Sequence, residues 1–121
     1  MHKLELEVAH SDERGNIMDL LNDKIDAVTL ITFEVGAIRG NHIHAETTQW
    51  TYILEGSVHA FSQDAQGILI NQIFSRSEMF VSWPGEPHAM KALEKSKILV
   101  FTKGPRSGAD YSLDTKFIKL I

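Results

Sequence analysis

Two histidines one residue apart, His42 and His44, stand inside the stretch Gly36 to Gly56, GAIRGNHIHAETTQWTYILEG. In a strand, side chains alternate faces, so the two imidazoles point one way while Asn41 and Ile43 point the other. A neutral imidazole is a first-choice ligand for zinc, iron, nickel, copper or manganese, but two ligands rarely close a site. Gln49, just before the alternating run Trp50 to Leu54, and His88, in the stretch SWPGEPHAM, are the candidates for a third and fourth. Glu46 shares the parity of His42 and His44 if that strand continues, which makes it the alternative carboxylate. A turn at that point would remove it.

The elements that must hold these residues read as strands. Leu4 to Val8 alternates apolar with charged residues, the period of a half-buried edge strand. Ser11 to Asn16 is a turn cluster and Ile17 to Leu21 a short apolar run read as strand. Val28 to Val35, with β-branched and aromatic residues on both faces, suits a central strand. Gly36 ends it, Arg39-Gly40 bends the chain, and the histidine strand follows. Trp50 to Leu54 and Ser57 to Ser62 flank Glu55-Gly56 as a hairpin. Ile68 to Phe74, Met79 to Trp83 and Ile98 to Thr102 complete the strands. The tail from Lys103 to Tyr111 reads as loop, and Phe117 to Ile121 is apolar enough to pack on the body or on a second subunit. Strands at this spacing, with no amphipathic helix of ten or more residues, argue for an all-β antiparallel sandwich or barrel.

A chain of 121 residues predicts one domain over 1–121. With 12 basic and 16 acidic residues and a net charge of −4, no cluster of Lys and Arg points to nucleic acid. The absence of Cys excludes disulfides and thiolate metal sites, so a metal must sit on His, Gln, Asp or Glu. No apolar run of signal-peptide or membrane-span length is visible, which makes no membrane partner and a cytoplasmic location the expectations. Sheet edges and apolar terminal strands predict a homodimer.

The spacing Gly36, five residues, His42-x-His44, four residues, Gln49, six residues, Gly56 resembles the first motif of the cupins. Pro84-Gly85-x-x-His88 is similar to the end of their second motif, with Ser77 and Trp83 where that motif carries Gly and Pro. The resemblance implies a cupin double-stranded β-helix, a jelly-roll barrel, with a divalent metal (Zn, Fe, Ni or Mn) on His42, His44, Gln49 and His88. Metal-binding cupins usually carry Glu where this chain has Gln49, and a neutral carbonyl ligand supports a cation less well.

A narrower resemblance separates the functional expectations. Arg39-Gly40-x-His42-x-His44, then Gln49 and Gly56-Ser57, with Asp12-x-Arg14-Gly15 near the start, is similar to the cupins acting on nucleotide-linked keto-sugars, the dTDP-4-dehydrorhamnose epimerases and the dTDP-4-keto-6-deoxyglucose ketoisomerases. It implies a small-molecule substrate such as a nucleotide-sugar, and His42 as a general base beside a keto group. A Tyr or a second His would return the proton. Arg39 pairs with a carboxylate or clamps a phosphate or carboxylate of the ligand. Trp50, Tyr52, Phe61, Phe80 and Trp83 are expected in core and wall, and His2, His10 and His59 outside the site. A metal-dependent dioxygenase and a non-catalytic binding module are the rival expectations.

Overall fold

The computed structural model describes residues 1–106 and 108–121. Its first strands are β1 (His2–Leu4), β2 (Val8–Asp12), β3 (Gly15–Met18), β4 (Ala27–Phe33) and β5 (Ile38–His44). Next come β6 (Thr48–Glu55), β7 (Ser57–Gln63), β8 (Leu69–Ser75), β9 (Met79–Ser82) and β10 (His88–Ala92). The chain closes with β11 (Ser96–Lys103), a short helix α1 (Gly108–Asp114) and β12 (Thr115–Phe117). One five-stranded sheet has the order β1-β9-β6-β11-β4, the other β12-β5-β10-β7-β8, and β2 with β3 forms a separate ribbon. Every pairing is antiparallel, so the chain folds as the all-β jelly roll expected from its alternation.

The main core lies between the two five-stranded sheets. Phe33, Ile53, Phe80, Ile98 and Val100 come from the first, and Val58, Ala60, Phe74, Met90 and Ala92 from the second. Phe74 and Phe80 stack across the gap with ring centroids 4.3 Å apart. Truncating a buried phenylalanine of this kind to Ala costs about 3–5 kcal/mol, because the cavity left behind adds to the lost transfer energy. A second cluster forms on the outer face of the first sheet, where Trp50, Met79 and Val81 are covered by Leu4, Leu6, Leu20, Leu21 and Ile25.

Several local expectations are corrected. The strand read over Leu4 to Val8 pairs only through Leu4; Leu6 reaches the outer cluster from irregular chain, and pairing resumes at Val8. Ser11 to Asn16 is mostly paired, since β2 and β3 make a hairpin that turns at Glu13 and Arg14. Leu20 and Leu21 leave the strand after Met18 to cover the outer cluster. The apolar run Val28 to Val35 is an edge strand: β4 pairs only with β11, and Val28 and Leu30 are more than half exposed on its outer face. Apolar residues on both faces do not reveal whether a neighbour lies on both edges.

Glu55-Gly56 does not close a hairpin. β6 belongs to the first sheet and β7 to the second, so the chain changes sheets there. Gly56 has φ 82°, and a side chain on it would meet Lys95 O at 2.6 Å and Ser96 Cα at 2.9 Å. That corner requires glycine for both conformation and space. The tail read as loop carries α1, whose residues Tyr111 and Asp114 reach the site described next. β12 pairs with β5, and Asn41 accepts hydrogen bonds from the amides of Leu120 (2.9 Å) and Ile121 (3.2 Å), so the tail docks on the body, although Phe117 is exposed.

Candidate functional site: a three-histidine cavity

β5 lies between β12 and β10 and brings two strands' worth of imidazoles together. In register, His42 faces His88 across the β5–β10 ladder, and Thr115 faces His44 across the β5–β12 ladder. The expected bend at Arg39-Gly40 is a β-bulge within β5. Gly40 (φ 89°) and Asn41 (φ 58°) both sit in the left-handed region, and the β5–β10 register shifts between His88 and Ala89. Bulges re-aim side chains beside functional sites. A Cβ on Gly40 would stand 2.8 Å from His88 O, so glycine lets β5 approach the backbone that carries His88.

The result is a cluster in which His42, His44 and His88 each offer a ligand atom within 4.8 Å of the others. His42 Nε2 and His88 Nε2 are 2.8 Å apart, so one of them holds a proton and the other accepts it. His44 is fixed from behind: its Nδ1 is 3.3 Å from Asp114 Oδ2 and 3.1 Å from Thr115 Oγ1. Asp114 in turn accepts from Thr47 Oγ1 (2.6 Å) and from the Glu46 amide (2.6 Å). His44, His88, Thr47 and Asp114 are all buried.

Electrostatics keep these imidazoles neutral. Burial pulls His42 down to about 4, helped by the neighbouring His44, beside which a second imidazolium is disfavoured, and by the Arg106 guanidinium. Burial lowers His44 as well, against the opposing pull of Asp114. His88 lies well below its ordinary value, first through burial and then through the other two histidines. For Asp114 burial acts upward, but the bonds from Thr47 and the Glu46 amide and the proximity of His44 leave it below the usual carboxylate range. The ionised carboxylate therefore holds the His44 proton on Nδ1.

The cluster lines a cavity of about 180 Å³ together with Gln49, Thr102, Val100 and Met90, with Arg39, Arg106 and Tyr111 around it. Gln49 comes from β6 in the opposite sheet, flanked in register by Ser82 and Thr102. All five residues singled out from the sequence, Arg39, His42, His44, Gln49 and His88, thus line one cavity. Glu46 does not: the chain turns after His44, and Glu46 is exposed beside a different surface hollow. Arg39 makes no ion pair among the described residues; its guanidinium donates to Thr32 O (3.1 and 3.3 Å) and lies over the Phe33 ring. His59 hydrogen-bonds Asn71 on the β7–β8 hairpin, and His10 bonds Asp12. Trp50 and Phe80 are buried, Tyr52 and Phe61 half-buried, and Trp83 half exposed just beyond β9.

Sequence reasoning missed Thr47, Arg106, Tyr111, Asp114 and Thr115. Asp114 reaches His44 across 70 positions of chain, and no periodicity links the two.

Three imidazoles held neutral are a donor set that fits a borderline divalent cation, with Asp114 behind His44 as an outer support rather than a ligand.

The family model for cupins matches residues 16–109. No curated protein matches the chain by sequence. Among solved structures, dTDP-4-dehydrorhamnose 3,5-epimerase from Sulfolobus tokodaii superposes with a TM-score of 0.76 at 16% identity, covering 99% of this chain and 84% of that one. The Legionella pneumophila dTDP-6-deoxy-D-glucose-3,5-epimerase RmlC, in complex with dTDP-4-keto-L-rhamnose, gives 0.77 at 15% identity, covering 97% and 71%. A 3,4-ketoisomerase from Helicobacter canadensis gives 0.76 at 20% identity, covering 90% and 86%. At such identities the likeness is one of fold. The matched motif residues and the jelly roll that holds them agree, and the chain belongs to the cupin family.

Proposed function

We propose that this cupin is an isomerase or epimerase acting on a carbonyl-bearing sugar or sugar nucleotide in polysaccharide biosynthesis. The observation that carries the reading is the convergence of neutral His42, His44 and His88 in a cavity with Arg39 on its wall. The similarity in fold to nucleotide-sugar epimerases and a ketoisomerase supports it.

In this mechanism His42 takes a proton from the carbon beside the carbonyl. The C–H electron pair becomes the second bond of an enolate, and the charge moves to the former carbonyl oxygen. Return of a proton to the same carbon from the other face inverts it; where that carbon bears a hydroxyl, transfer of the hydroxyl proton to the enolate oxygen and return of the carbon-bound proton to the former carbonyl carbon move the keto group. The sequence is redox-neutral and needs no co-reactant. His88, 2.8 Å from His42, is placed to exchange a proton with it, and Tyr111, whose ring lies 5.8 Å from that of His44, is the tyrosine available to return one. Arg39 binds a phosphate or carboxylate of the ligand. Deuterium incorporation from solvent into a keto-sugar, dependent on His42, is the test.

The neutral, converging donor set favours a second reading, in which a divalent metal (Zn, Fe, Ni or Mn) sits on His42, His44 and His88, with Gln49 as a fourth ligand. When bound, such an ion supplies Lewis-acid polarisation of a carbonyl, or the oxygen chemistry of a dioxygenase. The two readings compete at His42, because an imidazole that ligates a metal through Nε2 has no lone pair there for the substrate. Elemental analysis of wild type against His44→Ala and His88→Ala separates them. Equal metal content in all three would remove the metal reading.

We also propose a cytoplasmic homodimer. The open edge of β4, with Val28 and Leu30 exposed, and exposed Phe117 support association. No helix among the described residues is long and apolar enough to cross a membrane. Sedimentation showing a monomer at micromolar concentration would count against the dimer.

A further inference from the structure

Thr102 breaks the apolar run on the inner face of β11. Ile98, Val100 and Thr102 alternate onto that face, and Thr102 is 2% exposed with its Oγ1 unpartnered among the described residues. A buried hydroxyl without a partner costs stability that valine, of nearly the same shape, would avoid. Its neighbour in register on β6 is Gln49, and side chains so placed lie roughly 5 Å apart. Gln49 is half-buried, and its side-chain amide has no hydrogen-bond partner among the described residues. Both residues line the histidine cavity from the sheet opposite His42, His44 and His88. Ser82 Oγ is unpartnered as well, but Ser82 does not line the cavity.

The two walls are chemically unlike. His44 keeps its proton on Nδ1, toward Asp114, and the proton between His42 Nε2 and His88 Nε2 is engaged by that pair. The histidine wall is therefore short of free donors, and no carboxylate lines the cavity to occupy the donors across from it. A Thr hydroxyl and a Gln amide nitrogen keep their protons at any working pH. A ketone held between these walls would turn its acidic C–H toward the imidazoles and its oxygen toward Gln49 and Thr102.

We infer that Gln49 and Thr102 are the donor pair for the carbonyl oxygen on which charge develops, an oxyanion site made of two neutral side chains of the first sheet. The inference rests on the keto-sugar reading for its reaction. As His42 takes the proton, the C–H pair forms the carbon–carbon double bond and the carbonyl pair moves onto oxygen. There the Gln49 N–H and the Thr102 O–H donate without giving up their protons. Donors already in place in a buried site act on the transition state more than on the ground state. Position 49 is then better filled by Gln than by Glu, whose carboxylate would face the growing negative charge. The same amide cannot serve both readings at once, since a metal takes its oxygen and an enolate its nitrogen.

Hydrogen exchange into dTDP- and UDP-linked keto-sugars, with 4-nitrophenolate as an oxyanion probe that needs no turnover, tests the pair. Gln49→Leu and Thr102→Val should each lower kcat for exchange about 100-fold, with KM little changed. Thr102→Ser should recover most of the rate, and Ser82→Ala should exchange as wild type does. Thr102→Val should melt at or above the wild-type temperature, because it removes an unpaired polar group. 4-Nitrophenolate should bind wild type with a shift of its absorption band, and at least about tenfold more weakly in Gln49→Leu and Thr102→Val. Exchange at the wild-type rate in both variants overturns the pair and leaves the isomerase. A Thr102→Val variant that is slow only because it is unstable, or a Gln49→Glu variant faster than wild type, also counts against the pair. Wild type that exchanges no keto-sugar removes the isomerase, and the phenolate then decides alone. Binding that depends on Gln49 and Thr102 retains the donor pair; no binding, or binding indifferent to both substitutions, overturns it.

Discussion

Asp114 Oδ2 lies 3.3 Å from His44 Nδ1, both side chains being at most 5% exposed, and the same carboxylate accepts from Thr47 Oγ1 and the Glu46 amide. This pair ties α1 to β5 and fixes which His44 nitrogen carries the proton. Asp114→Asn keeps the shape but can present an N–H where an acceptor is needed. Activity should fall about 10- to 100-fold, the usual effect of removing such a support, with kcat affected more than KM. Asp114→Ala should also destabilise the fold by roughly 1–3 kcal/mol, since buried donors lose their partner; urea unfolding reads the second effect and steady-state kinetics the first.

The depressed histidines make stability depend on pH in a stated direction. An unfolded His takes a proton near its ordinary value of 6.5, while folded His42 resists until about 4. Between those values the unfolded state binds more protons, so stability is full above pH 6.5 and falls as pH drops toward 4. His42 contributes at most roughly 3 kcal/mol over that window, and less because solvent screens a side chain that is not fully buried. Metal-free wild type should lose this stability on acidification and His42→Gln should lose less, as measured by chemical denaturation at a series of pH values. Parallel pH profiles would show that His42 is not held neutral by the fold.

Gly40 adopts φ 89° with His88 O 2.8 Å from where a Cβ would stand. Gly40→Ala should cost at least about 2 kcal/mol, from the left-handed backbone and the close approach together. Because the displaced atom belongs to His88, pocket function should fail even in preparations that remain folded. Thermal melts alongside ligand titration would test both parts, and an alanine variant as stable as wild type would contradict the bulge geometry.

If the metal reading holds, Gln49→Glu should raise affinity by placing a negative charge beside the cation. Competition with a chelator measures it. An unchanged or weaker affinity would put Gln49 outside the ligand set.

Features governed by local pattern were legible in the sequence, and those governed by distant contacts were not. Period-two alternation put His42 and His44 on one face, and their spacing from Gln49 and His88 singled out residues that three different strands bring to one cavity. The alternation of Leu4 and Leu6 was read correctly as half-buried, but burial came from covering Trp50 and Met79 rather than from pairing. Gly56 looked like a hairpin turn because a change of sheet and a hairpin use the same glycine conformation. Asp114, Arg106 and Tyr111 were missed because they belong to a stretch of polar and small residues whose value lies only in what it touches.

The central claim is proton transfer at the carbon beside a sugar carbonyl, and incubation with dTDP- and UDP-linked keto-sugars in deuterated water tests it most directly. Nuclear magnetic resonance or mass spectrometry would follow exchange at that carbon. The account predicts deuterium incorporation by wild type, lost in His42→Ala with little change in ligand affinity, because a base acts mainly in the transition state. No exchange with any keto-sugar, or exchange that survives the loss of His42, would contradict it; oxygen consumption with another substrate would point to the dioxygenase, and silence in both assays to a binding module.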